Sequence, residues 1–203
     1  MRQRFFNIAL CLCFLASCKS ESPVVPVLLP HHVFTFPVTV NSMWQFAIED
    51  TVTKARDTVI VRALGSLKDP VSHSFLQMTF TQHSNRIAIE RSYDTLRFDF
   101  TPQAWGATFS LVYPLDLNKS WPSTICCGAI VVSRLDTVVC PADTFYSSIK
   151  LILEDDIPHE DSRVEYWIEP EVGVVKIANF YDSGDSIEKA EFWTLLSYSI
   201  APQ

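Results

Sequence analysis

From Phe34 onward, apolar and polar residues alternate with a period of two. Trp44, Phe46 and Ile48 fall on one side of an extended segment, and Leu76, Met78 and Phe80 do the same. The spacing recurs at Ile87 and Ile89, at Leu96, Phe98 and Phe100, at Ile149, Leu151 and Leu153, and at Val164, Tyr166 and Ile168. Phe192-Trp193-Thr194-Leu195 lies in the last apolar run. Intervening positions such as Gln45, Gln77, Arg97, Lys150 and Glu165 are polar. Successive side chains of a strand point to opposite faces, so this pattern predicts antiparallel sheet with one wet face. No stretch carries the 3.6-residue period of an amphipathic helix. Clusters at 53–57, 82–85, 155–158 and 182–185 supply the turns. With 5 glycines in the chain, those turns rely on Asn, Asp, Ser and Pro.

A repeat organises the strands. Phe36-Pro37-Val38-Thr39-Val40-Asn41-Ser42-Met43-Trp44 matches Tyr113-Pro114-Leu115-Asp116-Leu117-Asn118-Lys119-Ser120-Trp121 position by position. Asp57-Thr58-Val59-Ile60 then matches Asp136-Thr137-Val138-Val139. Each half reads as a Pro-led edge, an Asn turn and a strand carrying Trp44 or Trp121, followed by a hairpin and an Asp-Thr-Val strand. Pro suits an edge or a strand's first residue, Asn tolerates a left-handed turn, and Trp brings a large buried area. The expected architecture is all-β: antiparallel sheets built from two similar β-units, as a sandwich or a half-open barrel, which would reduce exposed edges. Farther on, Glu169-Pro170-Glu171-Val172-Gly173 reads as a tight hairpin connection. Pro170 pre-sets φ there, and Gly173 allows a positive φ.

The N-terminus has a different character. Arg2 and Arg4 precede an apolar run from Phe5 to Ala16, broken only by Asn7. A bilayer span needs ~20 apolar residues, so this shorter run reads as an export signal. Residues 19–33 carry Pro23, Pro26 and Pro30 without alternation and read as a semi-rigid tether. The expected organisation is a signal peptide over 1–17, Cys18 with a Pro-rich tether to 33, and a single all-β domain over 34–203.

Losing residues 1–17 removes two of the 16 basic side chains and none of the 23 acidic ones, leaving 14 against 23, or −9. Such a domain is a poor match for nucleic acid, whose phosphates are contacted by Lys and Arg. Cys11 and Cys13 leave with the signal, so Cys126, Cys127 and Cys140 remain in the body. In an oxidising compartment a bridge from Cys140 to Cys126 or Cys127, across a predicted hairpin, is expected.

No His-Glu-x-x-His, Gly-x-Ser-x-Gly or Gly-rich phosphate loop occurs. His31-His32 lies in the tether, and His73 and His83 flank one strand. The acidic run from Glu154 to Asp161 offers oxygen ligands for Ca2+, but it lacks the central Gly of an EF-hand and reads as a solvated loop. No catalytic residue, metal site or cofactor is expected. The 14 Phe, 6 Tyr and 5 Trp either fill a β core or line a concave apolar groove.

Leu15-Ala16-Ser17-Cys18 resembles the lipobox of bacterial lipoproteins. That resemblance implies acylation of Cys18 and anchoring to a membrane through lipid, and Lys19 after the cysteine implies the outer membrane. Three further stretches are similar to elements of a broad group of uncharacterised bacterial envelope lipoproteins. They are Tyr113–Trp121, Pro141-Ala142-Asp143-Thr144-Phe145, and Tyr166-Trp167-Ile168-Glu169-Pro170-Glu171-Val172-Gly173-Val174-Val175-Lys176. Asn118, Asp143 and Glu171 stand where the group carries Gly, and Glu169 stands where it carries Ala. The resemblance implies an all-β lipoprotein with no catalytic residues to carry over. The leading expectation is a monomeric lipid-anchored structural or binding module with a protein partner. The alternative is a periplasmic carrier of a hydrophobic ligand.

Overall fold

In the computed structural model the alternating segments form twelve antiparallel strands in one sheet. The described residues are 36–99, 109–122, 127–155, 163–181 and 189–202, all within a compact unit spanning Val33–Gln203. In chain order the strands are β1 (Met43–Asp50), β2 (Arg56–Ala63), β3 (Val71–Thr79), β4 (Ser84–Ser92), β5 (Thr95–Asp99) and β6 (Phe109–Val112). Then come β7 (Ser120–Pro122), β8 (Cys127–Val139), β9 (Thr144–Asp155), β10 (Arg163–Glu169), β11 (Gly173–Tyr181) and β12 (Lys189–Ser199). No helix occurs among the described residues.

Strands adjacent in sequence pair with one another, except β6 and β7. β1 instead pairs with β12, from Met43↔Ser199 to Asp50↔Glu191. The sheet is therefore two six-stranded meanders, β1–β6 and β7–β12, joined through the first and last strands. It curls into a nearly closed barrel whose two edges are β6 and β7. Of the two expected architectures, this continuous sheet is the half-open barrel.

The core follows the alternation. Register places Leu96 opposite Leu111, Phe98 opposite Ile89, Ile87 opposite Leu76 and Met78 opposite Val61. The band continues through Phe46 opposite Val59, Leu151 opposite Val131, and Trp121 opposite Ala129. All of these side chains are buried. At ~25 cal/mol per Å² of apolar area removed from water, such a band is the main stabilising term of the sheet.

A meander sends alternate turns to opposite ends. The chain joins the fold at what we term the entry end, beside the connections 64–70, 93–94, 113–119, 140–143 and 170–172. Connections 51–55 and 80–83 lie at the far end. Phe36 closes the entry end from within. Its ring centroid lies 6.4 Å from Trp44 and 5.4 Å from Phe98. A Cβ built on Gly173 would sit 3.1 Å from the Phe36 ring, so this glycine makes room for the aromatic plug.

The first repeat is realised in its Asn turns, although the Tyr113-Pro114 bond is cis. Asn41 and Asn118 have φ of 72° and 63°, left-handed values that L residues other than Asn and Asp resist. The Asn41 N–H donates to Ala63 O at 3.0 Å, and the Asn118 N–H donates to Val131 O at 2.9 Å. Ala63 N then donates to Ser42 O, as Val131 N does to Lys119 O. These bonds make Ala63 equivalent to Val131. They also correct the second match: Asp57-Thr58-Val59-Ile60 opens β2 before Ala63, whereas Asp136-Thr137-Val138-Val139 closes β8 after Val131. The two tetrapeptides look alike but occupy different places in their halves.

β8 and β9 bring a second correction. The hairpin expected between Cys127 and Cys140 is instead one strand: Cys127 opens β8, and Cys140 follows its last residue, Val139. At ~3.3 Å per residue those Cα atoms stand far beyond the ~7 Å limit of a disulfide. Cys140 is a free thiol whose Sγ lies 3.4 Å from Asp143 O in the hairpin turn. Cys126 lies outside the described residues. Register shifts after Val131, Ser133 and Asp136 bend the outer half of this hairpin. Its turn thereby reaches β12, where Ala142 N donates to Leu195 O at 3.3 Å and the Phe145 ring lies 6.2 Å from that of Tyr198.

Candidate functional site

Each described tryptophan is buried and donates its indole N–H. Trp44 Nε1 reaches from β1 to Val172 O at 2.6 Å, in the β10–β11 turn. Trp121 Nε1 reaches from β7 to Ser110 O on β6 at 2.8 Å. Trp167 Nε1 donates to Asp136 Oδ2 at 3.0 Å, tying β10 to the bent part of β8. Trp193 Nε1 donates to Glu191 Oε1 at 2.5 Å. An indole buried without a partner would cost ~1–3 kcal/mol. The Trp44, Trp121 and Trp167 donors also fasten elements that the ladder does not join, whereas the Trp193 bond stays within β12. The sequence singled out Trp44 and Trp121, and here they are structural. Pro170 and Gly173 also sit as expected, in the β10–β11 turn, with Gly173 at φ 98°. Glu171, in the same turn, has φ 72°. Two of the positions where the resembled elements carry Gly, 118 and 171, are therefore left-handed.

The edges β6 and β7 form a seam. Besides the Trp121 bond, Lys119 Nζ donates to Tyr113 O at 2.9 Å across the β6–β7 connection. Alternation did not foretell the seam, because β6 and β7 span only Phe109–Val112 and Ser120–Pro122, too short for the pattern to show.

The wall of β9, β10 and β11 carries a charged row. Trp167 lies between two ammonium groups, Lys150 Nζ at 4.9 Å and Lys176 Nζ at 4.7 Å from the ring. Glu165 is buried and bridges Lys150 at 2.9 Å and Arg163 at 3.3 Å. Arg163 in turn covers the Phe180 ring at 4.7 Å. The lysine stems and guanidinium plane thus shield apolar surface, while Glu165 pairs the Lys150 and Arg163 charges.

Among the described residues, three carboxyls depart from ordinary behaviour. Burial raises Glu191, opposed by the Trp193 hydrogen bond, and the nearby Asp50 charge adds to the rise. Burial also raises Glu169, opposed by the hydrogen bond from Ser148 Oγ at 3.1 Å and reinforced by Glu171. Asp57 is lowered, chiefly by the hydrogen bond from the Thr81 hydroxyl and then by the Thr58 N–H. Asp57 and Glu191 belong to the far end, Glu169 to the entry end, and each carboxylate accepts its own hydrogen bond. His83, one of the singled-out histidines, stacks on Phe80 with ring centroids 4.5 Å apart. Among the described residues no group of three or more His, Cys, Asp or Glu is arranged to hold a metal ion. Cys18, His31-His32 and most of the acidic run lie outside the described residues.

No protein-family model matches the chain, and no curated protein does. Solved structures share its fold. One is a candidate exported protein with a YmcC-like fold from Bacteroides fragilis, with 14% identity and a TM-score of 0.55. That match covers 82% of this chain and 99% of the other. Another is a candidate lipoprotein from Parabacteroides distasonis, with 11% identity and a TM-score of 0.52, covering 82% of this chain and 98% of the other. At such identities the likeness is one of fold.

Proposed function

We propose that the protein is a lipid-anchored cell-envelope protein, held through an acylated Cys18 in the outer membrane, whose barrel-like body is a non-catalytic structural or binding module. The observation that carries this reading is Leu15-Ala16-Ser17-Cys18 closing a basic-then-apolar leader. The shared fold with a candidate exported protein and a candidate lipoprotein supports it. A structural or binding role is favoured because every described indole N–H is committed to a hydrogen bond within the barrel and the perturbed carboxyls sit at opposite ends with separate partners. Two or three acyl chains give stable anchoring where one holds only marginally. Cys18→Ala tests the reading. The variant is expected to lose incorporated fatty acid and to leave the membrane fraction; retention of both sinks the anchor.

A second reading, a carrier of a hydrophobic ligand, is favoured by the break in the ladder between β6 and β7, a place where the wall could part. Lipid mass spectrometry on protein purified from membranes separates the two. A stoichiometric lipid beyond the anchor supports the carrier, and its absence supports the module.

A further inference from the structure

Resting on the anchoring reading, we infer that the entry end of the barrel is a membrane-docking face that lies flat on the bilayer carrying the anchor. Among the described residues, the large apolar side chains that are more than half exposed are Val71, Tyr93, Leu117, Leu135, Val139 and Tyr146. Every one of them belongs to the entry end. Val71 opens β3, Tyr93 sits in the β4–β5 turn and Leu117 in the β6–β7 connection. Leu135, Val139 and Tyr146 lie on the outer half of the β8–β9 hairpin, 77%, 74% and 71% exposed. Isolated exposed hydrophobics are ordinary on a protein surface. Here they share one rim, whereas the described far rim presents one exposed large apolar residue, Val52 at 45% exposed, among Glu49, Asp50, Lys54 and Arg56.

The hairpin shows how this arises. Val138 and Phe145 face inward and are buried. Alternation then turns Val139 and Tyr146 outward. A hairpin with one wet face would put polar residues there, but this one sets Leu135, Val139 and Tyr146 among the exposed Arg134, Thr137 and Ser147.

Connectivity names the occupant. The same end receives the chain from the tether, at Phe36. Cys18 precedes Phe36 by 18 residues. Fully extended, that stretch spans no more than about 65 Å, so the entry end stays within that distance of the anchor. The six residues are spread over four connections with polar residues between them. A protein partner would have to match each separately, whereas a fluid bilayer meets them all at once. Tyr93 and Tyr146 have the amphipathic rings that settle at the headgroup level.

The test uses the full lipidated protein in phosphatidylethanolamine vesicles, with the photoreactive residue benzoyl-phenylalanine at position 146 or at position 52. Tyr146 and Val52 are both exposed, and Val52 lies in a far-end turn. Irradiation is expected to give about tenfold more lipid adduct from 146 than from 52, the ratio for a preference of about 1.4 kcal/mol. Equal yields, or an excess from 52, overturn the docking face. Protein that fails to float with the vesicles overturns the anchor and the docking with it. Protein that floats without an excess at 146 overturns docking alone.

Discussion

Trp121 Nε1 donates to Ser110 O at 2.8 Å, so the two edge strands of the sheet are joined by an indole where the backbone ladder stops. This bond is worth ~1 kcal/mol net, and the ring it orients fills core between β6 and β8. Trp121→Phe keeps most of the ring and loses the bond. It is expected to cost ~1 kcal/mol and to speed amide exchange in β6 and β7 before other strands. Trp121→Ala adds a cavity and should cost ~3–5 kcal/mol in denaturant unfolding. Unchanged exchange in β6 for Trp121→Phe would mean that the seam is held by other contacts.

Left-handed backbone at Asn41, Asn118 and Glu171 makes a second set of expectations. A residue with a Cβ carries a strain of ~1–2 kcal/mol in this region, less for Asn. Glu171→Gly is expected to stabilise the fold by up to ~1 kcal/mol, offset in part by added chain entropy in the unfolded state. Asn41→Val and Asn118→Val should each destabilise by ~1–2 kcal/mol, in parallel, because the two turns are equivalent. Thermal unfolding of the three variants checks this; opposite signs at 41 and 118 would refute the equivalence.

Ser74 is buried on the inner side of β3, with no hydrogen-bond partner for its Oγ. A Cβ on Gly65 would lie 2.5 Å from that oxygen. Ser74→Ala removes an unsatisfied hydroxyl and is expected to be neutral or stabilising by up to ~1 kcal/mol. Gly65→Ala alone should destabilise, and Ser74→Ala should rescue much of that loss. A double-mutant cycle reads this coupling as a non-additive ~0.5–3 kcal/mol. Strict additivity would show that the two sites do not meet.

The raised carboxyls of Glu191 and Glu169 predict a pH trend. The folded protein holds these protons more tightly than the unfolded chain. Their stabilising contribution is therefore complete below the ordinary glutamate value of 4.5 and is lost as pH rises through the raised values. Asp57 runs the other way: its contribution is present above the ordinary 3.8 and is lost as pH falls through its lowered value. Glu191→Gln leaves an oxygen to accept from Trp193 and removes the buried charge. It should raise the melting temperature at neutral pH and give no gain in acid. A gain independent of pH would point to packing instead.

Strand existence was largely legible. β1, β3, β4, β5, β9, β10 and β12 coincide with alternating runs, because strand sterics act on every second residue within a few positions. Asn41, Asn118 and Gly173 were legible for a similar reason, since left-handed φ is a local steric demand. Other readings failed where they depended on partners. The Asp-Thr-Val match was a likeness of strings, and Cys127 and Cys140 read as facing each other across a hairpin because no residue announces that β8 runs on to Val139.

Alternation and chirality, both short-range, thus determined from the sequence alone that this chain is antiparallel sheet in two similar halves with left-handed Asn turns. Only the tertiary structure decided that β1 closes on β12, that an indole links β7 to β6, that Phe36 plugs the entry end, and that the exposed Leu135, Val139 and Tyr146 share that end. Those outcomes depend on which strands pair across long loops and on the twist accumulated over the sheet. That information is spread across the whole chain and belongs to no single segment.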